Sequence, residues 1–225
     1  MTARIRHLTP LSGPVEPLPI RTRAELRDDG ATDHEITRQV HNGRLVTLRR
    51  GVLAPPGLNP LDAEAVAVVQ ALRRDAVPTI GLCFGHQLLA RALGGRVERA
   101  DDWGLGVGQV RFQSAEPWMH PPQGQVTLFA AHQDQVTQLP DGARLLGGSH
   151  FCPNGCYMVG DSLLGIQYHP ELDRAFMRAL LDHIEPHMPP GVVQRARPQI
   201  EQPVDADLFF EWMARFLEMP RKALA

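Results

Sequence analysis

Val77-Pro78-Thr79-Ile80-Gly81-Leu82-Cys83, followed at once by Phe84-Gly85-His86-Gln87-Leu88-Leu89-Ala90-Arg91-Ala92-Leu93-Gly94-Gly95, is the stretch that decides the fold. The first half is a short apolar run fit for a buried strand. The second half repeats its apolar residues at helical spacing and stops at two glycines. Upstream, Asn59 can cap a helix with Pro60 in its first turn. Leu61, Ala65, Val68 and Leu72 then recur on one face, with Arg73 and Arg74 near the C-terminal end. Helix, apolar strand and helix in this order predict an α/β protein built on a parallel sheet.

The junction between strand and helix carries chemistry. Gly81-Leu82-Cys83-Phe84-Gly85 has the G-x-nucleophile-x-G form of a nucleophile elbow. Such a residue stands on a tight turn at the strand's end, and small neighbours let strand and helix approach. The N–H of Phe84 then points at a reacting carbonyl and can bind its oxyanion. A helix N-terminus also favours thiolate over thiol. Five residues alone leave a second reading open, a buried structural cysteine before a helix.

The strands expected after Gly95 are short: RVERA, GQVRF, QVTLFAA, ARLLGG, CYMVGD and LLGIQYH, parted by Gly, Pro, Asn and Asp. A helix is expected over residues 171–184, and a loop or linker over MPPGVVQRARPQIEQPVD. The last helix, ADLFFEWMARFLEM, sets Phe209, Trp212, Met213 and Phe216 on one stripe. That stripe either packs on the same domain or meets a partner, and packing is the expectation because an exposed aromatic stripe is costly. Residues 1–188 are therefore read as one domain, with 1–50 poorly legible, and 189–225 as a linker and helix packed on it. Within the first fifty, AELRDDG reads as a helix end, and GRLVTLRRGVL (43–53) is strand-like.

Composition narrows the function. The chain has 225 residues, 43% apolar, and a net charge of -2. That balance argues against nucleic-acid binding, which needs a basic face. No window reaches about 18 apolar residues, so no membrane span is expected. The N-terminus lacks the apolar core of a signal peptide, which makes the cytoplasm the expected compartment. The three cysteines do not suggest a disulfide framework. Cys152 and Cys156 flank a Pro-Asn-Gly turn in FCPNGC. A metal pair would need further ligands at usable spacing, and His150 alone is not enough. No metal or organic cofactor is expected.

Two further segments complete a pattern. Far downstream stands Gly165-Ile166-Gln167-Tyr168-His169-Pro170-Glu171, and between the two lies Ala131-His132-Gln133-Asp134-Gln135-Val136. In order and spacing, the three resemble the signatures of the class I (triad-type) glutamine amidotransferases. The resemblance covers residues 51–185 and is nearest to stand-alone relatives of the amidotransferase domain of GMP synthase. It implies a three-layer, flavodoxin-like α/β fold with a mostly parallel central sheet and a small antiparallel addition. It also implies that Cys83 attacks a γ-glutamyl amide, with His169 as acid and base and Glu171 orienting it. Independently, residues 169 and 171 face the same side of an extended segment, and Pro170 stiffens it. Gln87, His132 and Gln133 fall at positions the resemblance links to substrate. The implied reaction releases ammonia to a separate synthase chain, since residues 51–185 leave no room for one here.

Two positions depart from the family pattern. Pro55-Pro56 stands where a second oxyanion N–H is needed, and proline has none. Gly57 is then the expected donor, in a loop that partners often reorient in this family. Gln133 replaces the usual glycine of an H-G-D segment. These departures keep two alternatives in view: a free-standing γ-glutamyl hydrolase or peptidase, and a non-catalytic binding protein.

Overall fold

The computed structural model describes residues 21–41, 46–49, 52–54 and 60–219. Two short helices, α1 (Arg23–Asp28) and α2 (Asp33–His41), follow strand β1 (Arg21–Thr22). Thr32 and Glu35 cap α2 reciprocally: Glu35 accepts from the Thr32 N–H at 2.9 Å, and Thr32 Oγ1 accepts from the Glu35 N–H at 3.2 Å. Strands β2 (Val46–Arg49) and β3 (Val52–Ala54) join β1 in a small antiparallel sheet of order β1-β3-β2. The strand-like run 43–53 is thus split between two paired strands.

The main body begins with helix α3 (Pro60–Arg74), strand β4 (Thr79–Leu82) and helix α4 (Phe84–Ala92). This is the helix-strand-helix unit expected from the sequence. The buried stripe of α3 is rotated from expectation: Val66 and Val69 are buried, while Val68 is 46% exposed. Ala65-Val66-Ala67-Val68-Val69 offers two apolar faces, and packing against Leu89, Leu93 and Tyr157 selects one.

Five more strands follow: β5 (Arg96–Phe112), β6 (Gln125–Gln138), β7 (Ala143–Gly148), β8 (Cys156–Val159) and β9 (Leu163–Ile166). The sheet order is β4-β9-β8-β7-β5-β6. Among the described residues, only β4 with β9 pairs in parallel; every other pairing described in this sheet is antiparallel. The expectation of a mostly parallel sheet is therefore corrected to a curled, mostly antiparallel mixed sheet flanked by helices. The connections explain it. Residues 160–162 link β8 to β9, and 149–155 link β7 to β8, too short for a parallel crossover. RVERA and GQVRF, expected as separate strands, form the single long β5, with a register shift between Arg99 and Gly104.

The curl sets up the site. Phe129 of β6, the far edge of the sheet, bridges to His169 just beyond β9. Helices α5 (Arg174–Ile184) and α6 (Val192–Gln199) cover one side, packing Met177, Leu181, Val193 and Ala196 against Leu105 and Phe129. Asp173 caps α5 by accepting from the Phe176 N–H at 2.7 Å. The segment expected as a linker is corrected here, because it contains α6. Its prolines mask a helix that buries Val192, Val193 and Ala196. Helix α7 (Ala206–Glu218) lays Phe209, Trp212 and Phe216 into the core beneath β5, β6, β8 and β9. Trp212 Nε1 donates to the Pro121 carbonyl at 3.1 Å. Cys152 and Cys156 are buried members of the same cluster, and burial pushes the Cys152 thiol up to about 12. No helix of the described residues is long and apolar enough to cross a membrane.

Candidate active site

The elbow begins at β4. Gly81 must be a glycine, since a Cβ there would lie 2.6 Å from the Gly85 carbonyl and 2.8 Å from Leu89 Cδ1. Cys83 follows with φ 45° and ψ -101°, outside the regions L-residues ordinarily occupy. Its N–H donates to the Ile166 carbonyl of β9 at 2.8 Å, and its carbonyl accepts from the Gln87 N–H at 3.1 Å. The strained residue is thus held between a strand and the first turn of α4. Backbone strain of this kind costs on the order of 1–3 kcal/mol and persists only where surrounding structure enforces it. Phe84 opens α4 with its side chain 67% exposed, and its N–H lies among those that a first helical turn leaves free.

His169 arrives from the other side. Its N–H donates to the Phe129 carbonyl at 2.9 Å, which pins it to β6. Its Nδ1 lies 2.6 Å from Glu171 Oε1, leaving Nε2 free to serve the sulfur. Burial opposes charge on this ring, but the neighbouring Cys83 sulfur and the Glu171 carboxylate outweigh it. The imidazole is raised to about 9. Burial likewise opposes charge on Glu171, yet the His169 hydrogen bond lowers its carboxyl below the usual range. Cys83, His169 and Glu171, over 80 residues apart at the extremes, are therefore brought together.

The remaining residues singled out in the sequence sort differently. Gln87 Nε2 donates to the Asp134 carbonyl at 2.9 Å and to Gln167 Oε1 at 3.2 Å. His132 is buried on β6 between Phe151 and Tyr168, and burial pushes its imidazole down to about 4. Gly104 makes room for it, as a Cβ there would lie 2.7 Å from His132 Nε2. Gln133 Nε2 donates to the Ala100 carbonyl at 3.1 Å, bracing the irregular stretch of β5. Gly57, Pro55 and Pro56 lie outside the described residues. His86 is fully buried beneath the elbow, its ring 4.8 Å from that of Tyr157. Burial pushes its imidazole down to about 3.

Sequence reasoning missed Gln167. It is fully buried, and its Nε2 lies 3.5 Å from Cys83 Sγ. Its place two residues before His169 was the available signal, since both side chains then lean the same way. A cleft of about 680 Å³ lies between β5, the 148–151 turn and α6; of the candidate substrate residues it includes His132 but neither Gln87 nor Gln133. Among the described residues, no group of three or more His, Cys, Asp or Glu is placed to hold a metal.

Against known proteins, the family model described as "Glutamine amidotransferase class-I" matches residues 31–178. The chain belongs to this family. It is 37% identical over 100 residues to a glutamine-hydrolyzing GMP synthase subunit of Halobacterium salinarum, covering 43% of this chain and 54% of that one. It is 31% identical over 125 residues to the glutamine-hydrolyzing GMP synthase of Bacillus subtilis, covering 55% of this chain and 24% of that one. To gamma-glutamyl peptidase 4 of Arabidopsis thaliana it is 34% identical over 111 residues, covering 47% of this chain and 44% of that one. The chain thus matches between a quarter and about half the length of these relatives. Its fold resembles that of a glutamine amidotransferase from Thermotoga maritima, with a TM-score of 0.57 at 23% identity over 71% of this chain and 70% of that one.

Proposed function

We propose that the chain hydrolyses the side-chain amide of glutamine through Cys83, His169 and Glu171, and hands the ammonia to a separate synthase chain. The observation that carries this reading is His169. Its ring is held by Glu171, with Nδ1 2.6 Å from the carboxylate, and it neighbours Cys83, which stands on a strained strand-to-helix turn. The raised imidazole suits a protonated partner for a thiolate.

In this mechanism the Cys83 sulfur attacks the γ-carbonyl carbon, and the Phe84 N–H meets the developing oxyanion. Gly57 is assigned as the second donor. The C–N bond breaks as His169 gives its Nε2 proton to the departing nitrogen, leaving ammonia and a thioester. His169 then takes a proton from water, the hydroxide attacks the thioester carbon, and glutamate leaves with the thiolate restored. Glu171 holds the ring in register throughout. The three free cysteines fit a reducing cytoplasm. A separate acceptor is supported by the relatives whose names make them one subunit of a GMP synthase.

A second reading has its own support. Likeness to gamma-glutamyl peptidase 4, together with Gln133 in place of glycine, favours a free-standing γ-glutamyl peptidase using the same three residues. Ammonia and amino-acid release should be measured with glutamine and with γ-glutamyl dipeptides, alone and with candidate synthase chains. Glutamine turnover that falls at least about a thousandfold in Cys83→Ala is expected. Turnover of dipeptides but never of glutamine would replace the first reading with the second, and inertness toward both would remove both.

A further inference from the structure

A line of side-chain amides runs into the elbow. The Asp134 carbonyl of β6 can only accept, so it fixes Gln87 with its nitrogen inward, 2.9 Å away. The same nitrogen carries a second hydrogen, which reaches Gln167 Oε1 at 3.2 Å. With its oxygen turned to Gln87, Gln167 must turn its NH₂ to Cys83 Sγ, at 3.5 Å. The orientation of both amides thus follows from one backbone carbonyl. Gln167 is fully buried, and its own N–H is tied to the Gly155 carbonyl at 2.9 Å, so it has little freedom to turn elsewhere.

We infer that Gln167 is a sulfur-holding residue of the site: its amide donates to the Cys83 thiolate and keeps it aimed at His169, with Gln87 locking the amide in that sense. The inference rests on reading Cys83 as the nucleophile. A thiol must place its own proton and accepts weakly, whereas a thiolate accepts from several donors at once. The Gln167 amide supplies one such donor, at 3.5 Å from the sulfur. Gln87 is also reassigned. Its nitrogen is spent on Asp134 and Gln167, so its effect on the reaction passes through the sulfur as well as through any contact with substrate.

The test is alkylation of Cys83 by iodoacetamide at several pH values, read by peptide mass, in the wild type, Gln167→Met and Gln87→Met. Cys152 and Cys156 are buried, so Cys83 is the thiol the reagent reaches. The expected result is an alkylation rate near neutral pH about tenfold slower in Gln167→Met, and slower by a smaller factor in Gln87→Met. In both variants the pH profile should move to higher pH while near-ultraviolet circular dichroism stays native. A purely structural role would not move that profile in a folded variant. Wild-type rates and profile in folded Gln167→Met would overturn the inference. Should Gln167→Met not fold, Gln87→Met decides in the same way, and a wild-type profile there overturns it. Turnover measured on the same samples separates the two questions. A wild type that is inert toward glutamine and γ-glutamyl peptides, yet shows Gln167-dependent alkylation, removes the hydrolase reading and leaves the sulfur contact standing.

Discussion

Cys83 holds a backbone conformation that its own side chain disfavours, and Gly81 is where that conformation is enforced. A methyl at residue 81 would press on the Gly85 backbone at 2.6 Å, and backbone cannot swing aside as a side-chain tip can. Gly81→Ala should therefore lower unfolding free energy by about 1–3 kcal/mol in denaturant titration. It should also reduce amide hydrolysis, because relief of the clash moves Cys83 relative to His169. Gly85, the other glycine of the elbow, has open space at its Cβ position, so Gly85→Ala should cost far less. The G-x-C-x-G pattern was legible in the sequence, but the unequal need for its two glycines was not. That difference depends on how closely α4 crosses β4. Gln167 escaped for a related reason: it lies just past β9, and its spacing from His169 does not reveal that its amide reaches the Cys83 sulfur.

At the scale of elements, α7 shows how far periodicity reaches. Its stripe was readable from spacing, and three of its four members, Phe209, Trp212 and Phe216, are buried against the sheet. Asp205 ties the helix start to β6, accepting from the Thr127 N–H at 2.7 Å and donating its own N–H to the Thr127 carbonyl at 2.8 Å. Trp212→Ala should cost about 3–5 kcal/mol, seen as a lower denaturation midpoint, because the ring fills space among Phe112, Trp118 and Phe209. Helix α6 was not legible. Prolines on both sides of it and Pro198 within it read as loop, and only the burial of Val192, Val193 and Ala196 against β5 and α5 makes the segment helical.

For the whole molecule, the α/β class was legible in one helix-strand-helix unit, but strand direction was misjudged. The parallel pair β4 and β9 carries the site, and the antiparallel meander beside it curls far enough to pin His169 to β6. Its short turns were visible in the sequence and already demanded antiparallel pairing. Folding also shifts three histidines in opposite senses, which shapes stability against pH. His86 and His132 are buried neutral, at about 3 and about 4 against an ordinary 6.5. The unfolded chain binds those protons first, so stability should fall as pH drops from about 6.5 toward 4. His169 is raised to about 9, so the native state keeps a proton the unfolded chain has lost. Its contribution is full below about 6.5 and fades as pH rises through 9. Denaturation midpoints across this range should show both declines, and His169→Gln should flatten the alkaline one. Parallel alkaline curves for wild type and variant would count against the raised imidazole.

Everything proposed for the site depends on Cys83 acting as a nucleophile toward a γ-glutamyl carbonyl. Covalent labelling with a glutamine-analogue electrophile, read by intact mass, tests it most directly. A single adduct is expected on the wild-type chain and none on Cys83→Ala. No Cys83-dependent adduct, with or without a candidate synthase chain present, would contradict it.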